Sequence, residues 1–181
     1  MNGNAHSFLF ADLVGFTALT AAEGDETAAD LAVEFADSVR ALAAEHGVEF
    51  VKAMGDAVMV RGASAAQTVA LGLRLVHDGP TPAWRPPVRI GVHTGTAVSR
   101  NGDWYGATVN VAARLAACAQ GGELLITEDT GRRMRRHLPL ELIDQGLRRL
   151  RDVPAPVRVF AARPAAAAAA GAPLEAVAAA A

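Results

Sequence analysis

Two β-rich runs, Val48 to Ala53 and Ala57 to Arg61, are separated only by Met54-Gly55-Asp56, a link so short that the runs must turn back on one another as a hairpin. What surrounds the hairpin narrows the fold further. Ahead of it, Asp25 to Gly47 reads as a long helix. Leu31, Phe35, Val39 and Leu42 form its apolar stripe, with Asp30, Glu34, Asp37 and Arg40 around them and Gly47 as the stop. Earlier still, His6 to Asp12 (HSFLFAD) has the character of a buried strand that ends on an acid, and Gly15 to Ala22 that of a short helix. After the hairpin, Ser64 followed by Gln67 opens a second long helix, which ends near Asp78 and Gly79 ahead of the loop PTPAWRPP.

Val88 to His93 and Thr96 to Ser99 read as another strand pair, Asn101-Gly102-Asp103 as a loop, and Gly106 to Ala119 as a third helix stopped by Gly121-Gly122. Glu123 to Thr127 is a short strand, and shorter pieces follow to Arg163. The order predicts an α+β sandwich: a mostly antiparallel central sheet with helices on one face. The expected domain is 6–163. The remainder, 164–181, is an alanine-rich tail broken by Pro164, Gly171, Pro173 and Glu175, and it does not read as a membrane span.

The totals exclude some classes of function. A chain of 181 residues, 51% hydrophobic and 20% charged, suits one globular domain. Its net charge of -2 gives no basic footprint for nucleic acid. Cys118 is the single cysteine, so no intrachain disulfide can form, and MNGNAHSFLF lacks the basic start and apolar middle of a secretory signal. A cytoplasmic protein without membrane or nucleic-acid partners is expected.

Four residues suggest chemistry. Asp12 ends an apolar strand, and Asp56 lies in the hairpin turn. Each alone reads equally as a cap or a turn former. Together, two carboxylates on two loops at one sheet edge are a donor set for Mg²⁺, which favours one or two carboxylates plus substrate phosphates. Asn110 and Arg114 are four apart on the third helix and share a face, with Val109, Ala112, Ala113 and Ala116 on the other. That face is either merely solvated or a platform for a sugar and a phosphate, with the guanidinium as a charge clamp.

The segments FADLVGFT, KAMGDAVMV, IGVHTG and DWYGATVNVAAR, in this order, resemble the class III nucleotidyl cyclases, the adenylyl and guanylyl cyclase catalytic domain. The resemblance runs over roughly residues 6 to 163. It implies a ferredoxin-like α+β fold working as a head-to-tail homodimer, with active sites in the groove between subunits. It further implies that Asp12 and Asp56 bind two Mg²⁺ (or Mn²⁺) ions. Lys52 and Asp103 would select adenine, and Asn110 and Arg114 would orient the ribose and stabilise the transition state. All six positions hold the residue expected of an adenylyl cyclase, and the resemblance implies one of stand-alone, bacterial type.

The implied reaction joins the 3′ oxygen of ATP to its own α-phosphorus and expels pyrophosphate, giving cyclic AMP. Adenine presents an acceptor at N1 and donors at N6, which match a lysine and an aspartate; guanine reverses the pattern. On local sequence, Asp103 is also simply a turn residue in Asn-Gly-Asp. For the outer phosphates, Arg148, Arg149 and Arg151 are equal candidates, and each reads as well as a solvated charge. His93 is expected to be structural and Cys118 a small helix residue. The alternatives are a guanylyl cyclase, a catalytically silent nucleotide-binding domain of the same fold, or a diguanylate cyclase, whose GGDEF-type hairpin AMGDAV does not match.

Overall fold

The computed structural model describes residues 4–77, 86–134 and 140–165. The expected helix end at Asp78 and Gly79, most of PTPAWRPP and nearly all of the tail lie outside these residues. Strand β1 (His6–Leu13) is followed by helices α1 (Phe16–Glu23) and α2 (Asp25–Glu45), the hairpin β2 (Glu49–Met54) and β3 (Ala57–Gly62), and helix α3 (Ala65–His77). Then come β4 (Val88–Gly95), β5 (Val98–Arg100), β6 (Asp103–Tyr105), α4 (Ala107–Cys118), β7 (Leu124–Thr127), α5 (Glu128–Met134), β8 (Leu140–Arg148) and β9 (Val157–Pro164).

Seven strands form one sheet in the order β2-β3-β1-β4-β7-β9-β8. All neighbours are antiparallel except β4 and β7. The first four strands, spatially β2-β3-β1-β4, give the ferredoxin-like arrangement, and β1 lies inside it, paired with β3 and β4.

The expected single helical face is corrected by the packing. Leu9, Ala11 and Leu13 of β1 join Leu31, Phe35 and Val39 of α2 and Val69 and Leu73 of α3 in one core. Phe8 and Phe10, on the other side of the same strand, pack with Met59 and with Val109, Ala112 and Ala116 of α4. Helices therefore cover both faces. A strand apolar on both sides demands this, because an uncovered side would leave two phenylalanines in water, each worth about 1.5–3 kcal/mol on burial.

Helix α4 comes unusually close to the sheet. A Cβ on Gly91 would lie 2.2 Å from the Ala116 amide nitrogen, and one on Gly95 2.7 Å from Thr108 Oγ1. These two glycines of IGVHTG seat the helix.

A second correction concerns Thr96 to Ser99. Both edges of β4 are already taken, by β1 and β7, so the segment cannot pair back onto it. Instead, β5 and β6 pair with each other as a separate two-stranded sheet. Their turn is Asn101-Gly102, with φ of 52° and 78°, the doubly left-handed geometry of a two-residue hairpin loop. Ser64 does cap α3, its Oγ accepting the Gln67 amide at 3.4 Å. Among the described residues, no helix is long and apolar enough to cross a membrane.

Candidate active site

Register brings the two acids together. Asp12 stands opposite Ala57 of β3 and opposite Arg89 of β4. Asp56 occupies the β2–β3 turn beside Gly55, whose φ of 64° is the left-handed conformation that turn needs. The Leu13 amide donates to the Asp56 carbonyl at 3.3 Å, tying the turn to the end of β1. The Asp56 carboxyl is pushed above the usual carboxylate range, first by burial and then by the charge of Asp12. The guanidinium of Arg89 opposes that rise without cancelling it.

Sequence reasoning missed Arg89. Its Nε donates to Asp12 Oδ2 at 2.8 Å, and Nη2 binds the same oxygen. The available signal was an arginine inside VRIGVHTG between Val88 and Ile90, both buried. An interior cation in such a strand needs an anionic partner.

The second cluster spans two sheets. Lys52 lies on β2 opposite Met59, and Asp103 opens β6. Lys52 Nζ is 2.5 Å from Asp103 Oδ2, while Asp103 Oδ1 accepts the Trp104 amide at 2.8 Å. These contacts, that of Lys52 foremost, hold the Asp103 carboxyl below the usual range. The ammonium thus pairs across the fold and not with Asp56, its neighbour in sequence.

The third cluster rides on α4. Val109, Ala112 and Ala116 face the core, which leaves Asn110 exposed and Arg114 half-exposed on the outer side. Arg114 Nη2 donates to Asp152 Oδ2 at 3.3 Å, and Arg151 Nε reaches the same oxygen at 3.2 Å. Of the other arginines considered for phosphate, Arg148 donates to Gln145 Oε1 at 2.9 Å. His93 is held in the fold: its Nδ1 lies 2.7 Å from Thr127 Oγ1, and burial lowers its pKa. Cys118 is exposed near the end of α4.

Within one chain the six residues therefore form three groups, each with its own ionic or helical partners. Among the described residues, no group of three or more His, Cys, Asp and Glu side chains could form a closed metal cage. Asp12 and Asp56 remain as a two-carboxylate donor set, in which burial first and the charge of Asp12 second disfavour the ionised form of Asp56. Such a pair suits a divalent cation that completes its shell with water and substrate oxygens.

This fold, with a carboxylate pair at a β1/β2–β3 edge and an Asn/Arg face on α4, belongs to a recognisable class. Residues 3–146 match the family model described as the adenylate and guanylate cyclase catalytic domain, and the chain belongs to that family. It is 39% identical over 158 residues to the pH-sensitive adenylate cyclase MT1302 of Mycobacterium tuberculosis, an alignment covering 85% of this chain and 39% of that protein. It is 34% identical over 128 residues to an adenylate cyclase of Streptomyces griseus, covering 71% of this chain and 32% of the relative. The chain thus spans about a third of the length of these curated relatives. Among solved structures, adenylyl cyclase CyaB of P. aeruginosa superposes with a TM-score of 0.73 at 22% identity, over 87% of this chain and 93% of that one. At that identity the match speaks to the fold.

Proposed function

We propose that this domain is an adenylyl cyclase, converting ATP to 3′,5′-cyclic AMP and pyrophosphate at sites shared between two copies of the chain. The observation that carries the reading is the meeting of Lys52 and Asp103 across two sheets, a donor beside an acceptor on groups otherwise far apart in sequence. The relatives named adenylate cyclase point the same way.

Each residue then has a defined task. Lys52 donates to adenine N1 and Asp103 accepts from N6. Their mutual bond keeps both oriented until the base inserts between them. Guanine offers the opposite pattern, and a site built to hydrogen-bond one edge discriminates by up to about 10⁴–10⁵ in favourable cases. Asn110 orients the ribose. Arg114 neutralises charge that grows on the α-phosphoryl oxygens, the kind of preorganised contact whose loss costs about 10²–10³ in rate. Arg89, at the carboxylate pair, can exchange its bond to Asp12 for one to a phosphate oxygen, and Arg151 beside Arg114 is the better placed of the hairpin arginines to do the same.

Asp12 and Asp56 are the residues that would hold Mg²⁺ or Mn²⁺. A bound divalent ion supplies Lewis-acid activation of the 3′-hydroxyl and charge neutralisation on the phosphates.

The homodimer reading is supported by the separate partners of the groups within one chain. The carboxylate pair with Arg89 and the Lys52–Asp103 pair with α4 have separate partners in one chain, so a second copy turned about a two-fold axis can bring one chain's acids to the other's base-reading pair. The test is cyclic nucleotide production from ATP and from GTP, with Mg²⁺ and with Mn²⁺. Cyclic AMP is the expected product. No cyclic nucleotide with either ion removes the enzyme reading, and a preference for GTP removes the adenine assignment in favour of a guanylyl cyclase.

A further inference from the structure

The base-reading pair poses a mechanical problem. Lys52 belongs to the seven-stranded sheet, whereas Asp103 belongs to the separate β5–β6 hairpin. Each strand of that hairpin has only three residues, and no ladder of hydrogen bonds joins it to the main sheet. An isolated two-stranded ribbon of this size does not hold its own position in water. The Thr108 hydroxyl secures its base, donating to the Thr96 carbonyl at 2.5 Å, but that contact lies away from the Asp103 end.

Trp104 supplies what is missing. Strand alternation sends Trp104 to the opposite side from Asp103 and Tyr105. There it packs against the cluster of Phe8, Phe10, Met59 and α4. The indole stands edge-on to Phe8, with ring centroids 5.7 Å apart, and to His6 at 4.6 Å. The Arg61 guanidinium carbon lies 4.9 Å from its centroid. Arg61 is itself fixed, with Nε donating to His6 Nδ1 at 3.0 Å and Nη1 3.7 Å from Glu49 Oε2. The same tryptophan donates its backbone amide to Asp103 Oδ1.

We propose that Trp104, clamped between Phe8, His6 and Arg61, is a positioning residue for base selection: it pins the β5–β6 hairpin on the main sheet and so sets the span between Lys52 and Asp103. The proposal rests on the reading of that pair as the adenine-binding contacts. Tryptophan suits the task because it offers a large rigid surface with only two side-chain torsions. Its ring faces Arg61 and the core, so it acts through Asp103 and not on the nucleotide.

The test compares Trp104→Phe, Trp104→Leu and Arg61→Gln with the unmodified protein. It measures kcat/KM for ATP and for GTP, and it follows the Asp103 carboxyl by NMR titration. In Trp104→Leu the hairpin is no longer pinned, and the ATP-to-GTP ratio is expected to fall about tenfold or more. The Asp103 carboxyl should return toward the ordinary carboxylate range. Trp104→Phe keeps a ring in the clamp and should preserve most of the ratio. Arg61→Gln should lower it by a smaller factor, and that variant carries the test if Trp104→Leu does not fold.

A purely structural tryptophan would lower both substrates in parallel. An unchanged ratio in Trp104→Leu, or in Arg61→Gln where the leucine variant does not fold, overturns the proposal. So does an Asp103 carboxyl that titrates as before in the same variant. If the unmodified protein makes no cyclic nucleotide at all, the reading of the site fails with it. If it makes cyclic AMP and only the ratio is unmoved, Trp104 alone loses its role.

Discussion

Lys52 and Asp103, 51 residues apart in sequence, meet at 2.5 Å between Nζ and Oδ2, and the aspartate belongs to a different sheet from the lysine. The contact lowers the pKa of Asp103, and Lys52 is its foremost cause. Replacing Lys52 with alanine should therefore raise the Asp103 carboxyl toward its ordinary value, as read by NMR titration of that side chain. In the proposed enzyme, the double exchange Lys52→Glu with Asp103→Cys removes the donor and acceptor that match adenine. It should lower use of ATP and improve relative use of GTP. An unchanged substrate ratio counts against the pair as base readers.

Asp56 gives a prediction in which metal and pH are linked. Its carboxyl is raised in the folded chain, by burial first and by Asp12 second. Folding is then favoured by protonation. That stabilisation is complete below the unfolded carboxylate value and is lost as pH rises through the raised folded value. At neutral pH the metal-free chain carries the cost of burying the charged carboxylate, to which the charge of Asp12 adds. Asp56→Asn should melt higher than the unmodified chain at pH 7 without metal, and the difference should close as pH falls toward the ordinary carboxylate value of 3.8. Added Mg²⁺ should stabilise the unmodified chain and leave Asp56→Asn nearly unmoved, since only a species that binds the ion gains from it. Calorimetry across pH and metal concentration checks both limbs.

These site features were legible to different degrees, for reasons that lie in the fold. HSFLFAD reads as a buried strand, but a run apolar on both sides carries no period that says how many faces need covering, so one helical face is expected where the packing has two. The β5–β6 hairpin has strands too short to show an alternation, although Asn101-Gly102 is a strong turn pair. Asp103 looked like a turn residue because its partner is 51 positions away. Arg89 had no spacing relation to any motif acid; the sheet alone brings it across 77 residues to Asp12. Local patterns reveal elements and turns, whereas ion pairs made across strands need the register first.

Arg114 is held by Asp152, whose φ of 61° is left-handed. Asparagine tolerates that conformation as well as aspartate does, so Asp152→Asn removes the charge and little else. Exposed pairs of this kind contribute about 0–1 kcal/mol. If Arg114 must leave Asp152 to reach a phosphate, the variant should lower the KM for ATP by up to about fivefold at low salt. The gain should shrink as salt is added. A higher KM would show instead that Asp152 helps to orient the arginine.

The seat of α4 can be tested first on stability. A Cβ at Gly91 meets backbone atoms of Ala112 and Ala116, which cannot move as a side chain would. Gly91→Ala should cost about 1–3 kcal/mol in denaturant unfolding, the range for overpacking a close contact. It should also reduce turnover in the variant that remains folded, because Asn110 and Arg114 ride on the displaced helix. Stability equal to that of the unmodified chain would mean that the helix lifts freely from the sheet.

The proposal of a site shared between two copies makes the most distinctive prediction. In the proposed dimer, Asp12 and Asp56 of one copy face Lys52 and Asp103 of the other. Asp12→Ala and Lys52→Ala homodimers should each be nearly inactive, since every site in them lacks one function. In a mixed dimer, the acids of the Asp12→Ala chain meet the base reader of the Lys52→Ala chain, and that site is doubly damaged. The opposite site takes its acids from the Lys52→Ala chain and its lysine from the Asp12→Ala chain, and it is intact. With free exchange of equal amounts, about half the dimers are mixed and activity should return to about a quarter of the unmodified level. Mixed dimers detected by differential tagging, with no recovery of cyclic AMP production, would place all six residues in a site built by one chain. The nearness of Lys52 and Asp56 on one hairpin would then need another explanation than service to two sites.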